Sequence, residues 1–550
     1  MTQQEALEIL KMGHNAFVTG AAGSGKTHVV NQYVNYLRDS GAYSAIGVTA
    51  STGIAATHMG GQTIHSWSGL GIRASLSERD IEDLEERQYL WRRFEKARVL
   101  IIDEISMIHH FRLDLVERIV RSFKRNNLPF GGLQVILVGD FFQLPPVSRQ
   151  GDAPARFAYH SASWETLKPR MCYLEGQYRQ NDLGFLEVLN AVRDNQVTDE
   201  ILSRLKARFG KRPEGLVAPT KLYSHNVNVD SENEKELGKI AGNIFSYSMT
   251  HKGNENLALS LKKSCLAPEV LRLKIGARVM FVKNNFELGY ANGTLGIIER
   301  CDSAGITVKT SRGEKIVVLP ATWRIEDGGK VLAEITQYPL RLAWAITVHK
   351  SQGMSLDSAE VDLSQSFEKG MGYVALSRVR SLSGLTLLGL NDMALKVNPE
   401  VLEFDKRFRE ESARHVEELQ KQTPQNVSTA QKAFLKKIVP AGGKVKKEKP
   451  STIEETKKLV AEGKSLKEIA SARKLKPETI IDHIEKLRGK DTDFDISHLK
   501  KEIPAERLKK MVAAFRKAAT KDGGHPLSPV KTILGADFSY EEIRFARLFL

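Results

Sequence analysis

The sequence predicts an α/β protein organised around parallel sheets, with a small antiparallel barrel set into its second half and an all-helical end. Three observations lead there. Short apolar runs at 45–48, 99–102 and 134–138 alternate with helix-length amphipathic segments such as 112–125, as buried strands covered by helices do. Between 271 and 335 the pattern becomes brief alternating runs separated by Gly and Asn turns, which suits a small antiparallel barrel. Beyond 451, three short helical patterns (452–462, 465–473 and 476–487) follow one another across tight turns.

Taken in chain order, the first α/β region runs from residue 1 to about 185. Near its start, Gly20-Ala-Ala-Gly23-Ser24-Gly25-Lys26-Thr27 follows the apolar Ala16-Phe-Val18 and leads into a helix-compatible stretch. This is a phosphate-binding loop in the strand–loop–helix setting its mechanism requires. The glycines let the backbone curl so that successive N–H groups face one anion. Lys26 brings a charge to the β/γ-phosphates and Thr27 a hydroxyl for Mg²⁺. ATP with Mg²⁺ is therefore the expected fuel.

The strand 100–102 ends in Asp103-Glu104. Downstream of a phosphate loop, Asp103 is expected to hold the Mg²⁺ water shell, and Glu104 to polarise the water that attacks the γ-phosphate. Gln143, in the loop after the next strand, can hydrogen-bond that phosphate. Arg179 and Arg378 offer guanidinium forks that match phosphate oxygens and keep their charge.

Composition narrows the partners. Hydrophobic content of 41% and charged content of 27% are those of a globular chain able to bury a core, and the net charge of +15 favours a polyanion. Residues 431–490 hold 17 Lys and Arg against 8 Asp and Glu, a net of +9, so much of that excess is local. Cys172, Cys265 and Cys301 have no metal-ligand spacing and fit a reducing compartment. With no leader pattern and no apolar run long enough for a membrane span, a cytoplasmic protein is expected.

The ordered set Gly20–Thr27, Val48–Ala56, Gln62–Ser66, Ile101–Ile105, Gly139–Pro145, Tyr178–Gln180, Thr347–Gly353 and Tyr373–Arg378 resembles a superfamily-one helicase. Within that group it is similar to the Pif (petite integration frequency) family, close to RecD-type enzymes, and the likeness spans 1 to about 400. The segment 116–140, with Asn127-Leu-Pro-Phe-Gly-Gly132, is similar to the signature that separates the Pif family from RecD relatives. The resemblance implies a first RecA-like domain over 1–185 with a wedge insertion at about 72–97, a second over 186–265 and 337–400, and a Src-homology-3-like barrel at 266–336. Residues 401–450 read as a basic linker and 451–550 as a helix-turn-helix domain.

The resemblance also assigns roles. Gln3 lies where the family's adenine-reading glutamine sits, with Gln4 adjacent and the usual upstream leucine missing. Gly353 joins the nucleotide set. Thr52, Gly53, His65, Thr347, His349, Lys350 and Ser351 suit phosphate contacts along a single strand without base readout. Trp67 and Phe142 fit base stacking or a core equally. The family implies 5′-to-3′ movement on single-stranded DNA and unwinding of partial duplexes, in repair, recombination or replication; a monomer is expected, and the RecQ-like C-terminal extension points to the bacterial cytoplasm.

The C-terminal patterns resemble the helix-turn-helix domain of some RecQ-type helicases. Leu466, Ile469, Ile480, Ile481 and Ile484 would form its core, and Arg473, Lys474 and Lys476 would lie near the third helix. Asp482 and Glu485 on that helix count against base reading, and a hairpin that packs on protein fits as well. Two other readings stay open at this level: an ATP-switched DNA-binding regulator, and a RecD-like subunit of a recombination complex.

Overall fold

The computed structural model describes the chain apart from residues 72, 147–155, 179, 181, 214–217, 224–228, 286–287, 303–304, 312, 328–329, 349, 352, 440–451, 474, 476, 491–493, 519–526, 536 and 550. It forms two compact units, Met1–Gly443 and Lys444–Leu550.

The first unit begins with a six-stranded parallel sheet. Its strands are β1 (Ala16–Gly20), β2 (Ile46–Ala50), β3 (Gln62–Thr63), β4 (Val99–Asp103), β5 (Gln134–Val138) and β6 (Arg170–Leu174), in the order β3-β2-β4-β5-β1-β6. β1 and β5 are buried on both faces, which is why they read as unbroken apolar runs. Alternation still sorts their side chains. Phe17, Leu100 and Leu137 enter one core with Leu113, Val116 and Val120 of the helix His110–Lys124. Val18, Ile101 and Ile136 enter another with Val30, Tyr33 and Leu37 of the helix Lys26–Asp39.

Within 72–97, helices Glu78–Glu85 and Gln88–Lys96 carry the charges that make the segment look solvent-facing. They are anchored by one apolar face: Phe94 lies 4.7 Å from Phe123 and 5.0 Å from Trp67 between ring centroids.

A second parallel sheet runs in the order Ala345–Thr347, Thr220–Tyr223, Ala359–Leu363, Leu385–Leu390. Between its strands stand antiparallel sheets of five, three and two strands. These begin at Phe245, before the expected position 266, because Phe245–Ser248 pairs with Val270–Leu273 and Thr250–Gly253 pairs with Lys330–Gln337. The strand Thr250–Gly253 is exposed and polar, so its sequence carries no alternation to find.

The stretch expected as a linker is corrected. Residues 401–438 are mostly helix: Pro399–Gln420 and Pro424–Ile438. Val401, Phe408 and Leu419 are buried at helical spacing, a period masked by the charges between them. The longer helix lies along β6, the edge of the first sheet. Ser412 Oγ accepts the Tyr173 N–H at 3.0 Å and His415 Nδ1 accepts the Met171 N–H at 3.1 Å, so side chains satisfy an otherwise open edge.

The second unit is helical throughout its described residues. All five expected core residues are buried, joined by Met511, Phe515, Val530 and Ile543 from later helices. Glu485 pairs with Arg544 at 2.7 Å and Arg547 at 2.6 Å. The Glu485 charge, expected to count against base reading, is therefore balanced inside the unit. Lys474 and Lys476 lie outside the described residues.

Candidate nucleotide-binding cleft

β1 delivers the chain into the loop 20–25, and Gly25 starts the helix Lys26–Asp39 from the left-handed region at φ 88°. No side chain caps that helix start, so its N–H groups face the cleft. A Cβ on Gly25 would stand 1.9 Å from Gln3 Nε2, so glycine is required by both dihedral and space. Gln3 Nε2 donates to the Ser24 carbonyl at 3.2 Å, whereas Gln4 turns to Glu8 on its own helix. Of the two adjacent glutamines, Gln3 meets the loop.

Lys26 Nζ folds back onto the carbonyls of Gly20 (2.8 Å) and Ala21 (3.1 Å). Ser24 Oγ is buried with no hydrogen-bond partner among the described residues. A curled loop, an open helix start, a lysine and an orphaned hydroxyl together form a donor set that fits a polyphosphate.

Asp103 ends β4. Burial, reinforced by the charge of Glu104, pushes its carboxyl up to about 7, although it accepts the Glu104 N–H at 2.8 Å. Such a group favours a cationic partner. Glu104 itself sits at φ 53°, ψ 46°, a left-handed conformation costly for a residue with a side chain and common where function fixes geometry.

Arg378 follows the helix Met371–Leu376 in the second α/β lobe and is 1% exposed. Its Nη2 reaches Gln143 Oε1 at 3.4 Å, and burial lowers its pKa. Lys26, Thr27, Asp103, Glu104, Gln143, Gly353 and Arg378 all line one cavity of about 1170 Å³. Arg179 lies outside the described residues.

The candidate strand contacts divide. Thr52 also lines this cavity, and its Oγ1 caps the helix Gly53–His58 by accepting the Ala55 N–H. A Cβ on Gly53 would stand 2.0 Å from Ser264 Oγ, so this glycine permits close approach of the helix Glu255–Ser264. Burial and Arg112 push His65 down to about 4, which keeps it neutral near pH 7. Thr347 Oγ1 accepts the Lys350 N–H at 3.1 Å and buried Ser351 donates to the Val348 carbonyl, so both hydroxyls shape their loop. Lys350 lines the cavity as its reachable cation on that loop. His349 lies outside the described residues.

The base-stacking alternative for Trp67 and Phe142 is corrected, since both are 2% exposed. Trp67 packs against Gly47 and Phe94, and Phe142 lies under the Arg193 guanidinium at 4.1 Å.

Three residues have no role assigned from sequence, although Tyr178 and Tyr373 each open one of the motifs. Tyr178 is exposed on the cavity wall, with its N–H bonded to the Gly23 carbonyl. Tyr373, fully buried, reaches the loop at Ala22. Asn292 projects into the cavity beside His58, with Oδ1 unpartnered among the described residues. Only the turn sequence Ala291-Asn-Gly-Thr294 could have flagged the last.

Comparison with known proteins accords with this geometry. Residues 3–200 match the PIF1-like helicase model, 256–300 the DNA helicase Pif1 2B domain, and 452–547 a helix-turn-helix domain. The ATP-dependent DNA helicase Pif1 of Psychrobacter sp. (strain PRwf-1) is 36% identical over the whole of both chains. Human ATP-dependent DNA helicase PIF1 is 37% identical over 73% of this chain and 62% of its own. The crystal structure of Bacteroides sp Pif1 in complex with ADP-AlF4 superposes with a TM-score of 0.65 at 31% identity, covering 74% of this chain and 96% of that one.

Proposed function

The chain belongs to the PIF1-like helicase family and is an ATP-dependent DNA helicase, and we propose that hydrolysis between its two RecA-like lobes drives it 5′ to 3′ along single-stranded DNA, opening the duplex ahead. The observation that carries this reading is the pairing of Lys26 from one lobe with Arg378 from the other on a single cavity. Two lobes that share one nucleotide must close on it and open after it, and that is a stroke. A related Bacteroides Pif1 has been solved bound to single-stranded DNA.

The loop N–H groups and Lys26 bind the phosphates, and Gln3 reads the adenine edge. Exposed Tyr178 supplies an aromatic face beside it. Thr27 and Asp103 would hold Mg²⁺, which neutralises phosphate charge when bound. Glu104 orients water and takes its proton, while Gln143, Arg179 and Arg378 hold the γ-phosphate. Thr52, Gly53, His65, His349 and Lys350 serve the strand, with Lys350 the cation in reach, while Thr347 and Ser351 shape the loop that presents Lys350. The C-terminal unit acts as a DNA tether on the same chain, working as a monomer in the bacterial cytoplasm.

The test is unwinding of 5′-tailed, 3′-tailed and forked duplexes, alongside ATP turnover with and without single strands. Strong stimulation of turnover and preference for the 5′ tail are expected. Faster unwinding from a 3′ tail would reverse the direction, and turnover indifferent to DNA would remove the motor.

A further inference from the structure

Arg193 closes the helix Leu183–Arg193 and is 2% exposed. One of its amines donates to Asp140 Oδ1 at 3.1 Å. The other donates to Asp405 Oδ1 at 3.2 Å and to the Tyr173 hydroxyl at 2.9 Å. A single guanidinium thus joins two carboxylates from separate elements: the loop after β5, and the long helix Pro399–Gln420. The forked geometry of arginine makes such bridging possible, and removing one partner leaves a buried charge uncompensated.

Asp140 is also what orients Gln143. Its Oδ1 accepts the Phe142 N–H at 3.2 Å and its Oδ2 accepts Gln143 Nε2 at 3.2 Å. With its amide nitrogen held there, Gln143 presents Oε1 to Arg378. The amide cannot turn over without exchanging a donor for an acceptor against a carboxylate.

We propose that the Asp140–Arg193–Asp405 ion triad is a positioning device that fixes Gln143 and Arg378 for ATP hydrolysis, so that the helix Pro399–Gln420 acts on turnover through Asp405. Arg193 and Asp405 are positioning residues in this scheme, at one remove from the nucleotide. The same helix seals β6, so a segment that stabilises the first lobe also sets the geometry of its phosphate contacts. The proposal rests on reading Gln143 as a γ-phosphate contact.

A double-variant cycle on the full chain tests it, using steady-state ATP turnover at saturating single-stranded DNA. Asp405→Asn should lower kcat by about ten- to a hundred-fold and leave the KM for ATP unchanged, as expected of a small misplacement of reacting groups. In a Gln143→Ala background the same substitution should cost nothing further. Additive losses in the double variant, or a loss confined to KM, overturn the triad's role. Gln143→Ala with wild-type turnover overturns the γ-phosphate reading instead. If Asp405→Asn does not fold, Tyr173→Phe removes one acceptor of Arg193 with the ring retained, and the same cycle applies with a smaller loss.

Discussion

The hydroxyl of Tyr373 accepts the backbone N–H of Ala22 at 3.0 Å, joining residues 351 positions apart in sequence. The same hydroxyl lies 3.5 Å from Asp140 Oδ2. One buried side chain of the second lobe thus touches both the phosphate loop and the loop that carries Gln143.

Tyr373→Phe should destabilise the motor by about 1–3 kcal/mol, because the Ala22 N–H is left buried without its acceptor. A downward shift of the urea midpoint with an unchanged circular dichroism spectrum is the expected result. A midpoint equal to wild type would mean that the contact contributes nothing.

Lys26→Ala should reduce ATP turnover roughly 10²–10³-fold, the range for loss of a preorganised charge at a developing anion. Affinity for single-stranded DNA should stay close to wild type, since Lys26 faces the loop carbonyls. Filter binding beside a coupled ATPase assay separates the two effects.

Asp103 sets a pH dependence. Its carboxyl is raised in the ligand-free fold, first by burial and then by Glu104. The folded state therefore holds a proton that the unfolded chain gives up at lower pH. That contribution is full below the unfolded value and is lost as pH rises toward about 7. Asp103→Asn should accordingly gain stability relative to wild type between pH 5 and 8, read as a growing difference in melting temperature. A constant difference across that range would contradict the assignment.

Truncations at two points should behave differently. A chain ending at residue 443 keeps the helices Pro399–Gln420 and Pro424–Ile438 and should fold. Its DNA affinity should fall and depend less steeply on salt, by about 0.7 in log–log slope for each lost phosphate contact. A chain ending at 398 exposes the edge of β6 and loses Val401, Phe408 and Leu419 from the core, so it should aggregate. Size-exclusion chromatography distinguishes the outcomes. A soluble, monomeric 1–398 chain would show that the edge needs no seal.

The phosphate loop, the Asp103-Glu104 pair and the five core positions of the C-terminal unit were legible in sequence because each depends on local spacing. A loop must curl within eight residues, and a helix must repeat its apolar face every turn. The helix 399–420 is not legible in sequence for the opposite reason: its burial is conferred by β6, more than two hundred positions earlier, and its composition looks like that of a linker. Trp67 and Phe142 show the same limit, since nothing in an aromatic residue near a loop states whether a neighbour will cover it.

By itself, the sequence determined the use of nucleotide, the phosphate loop after β1, the carboxylate pair at the end of β4, and the kinship of the chain. The tertiary structure alone decided which groups of different elements answer one another: Gln3 rather than Gln4 on the loop, Tyr373 on Ala22, and Arg193 between Asp140 and Asp405. Backbone curvature and helical period are short-range properties written into neighbouring residues. Charge pairing between distant elements depends on which of them the packed sheets bring within a few ångströms.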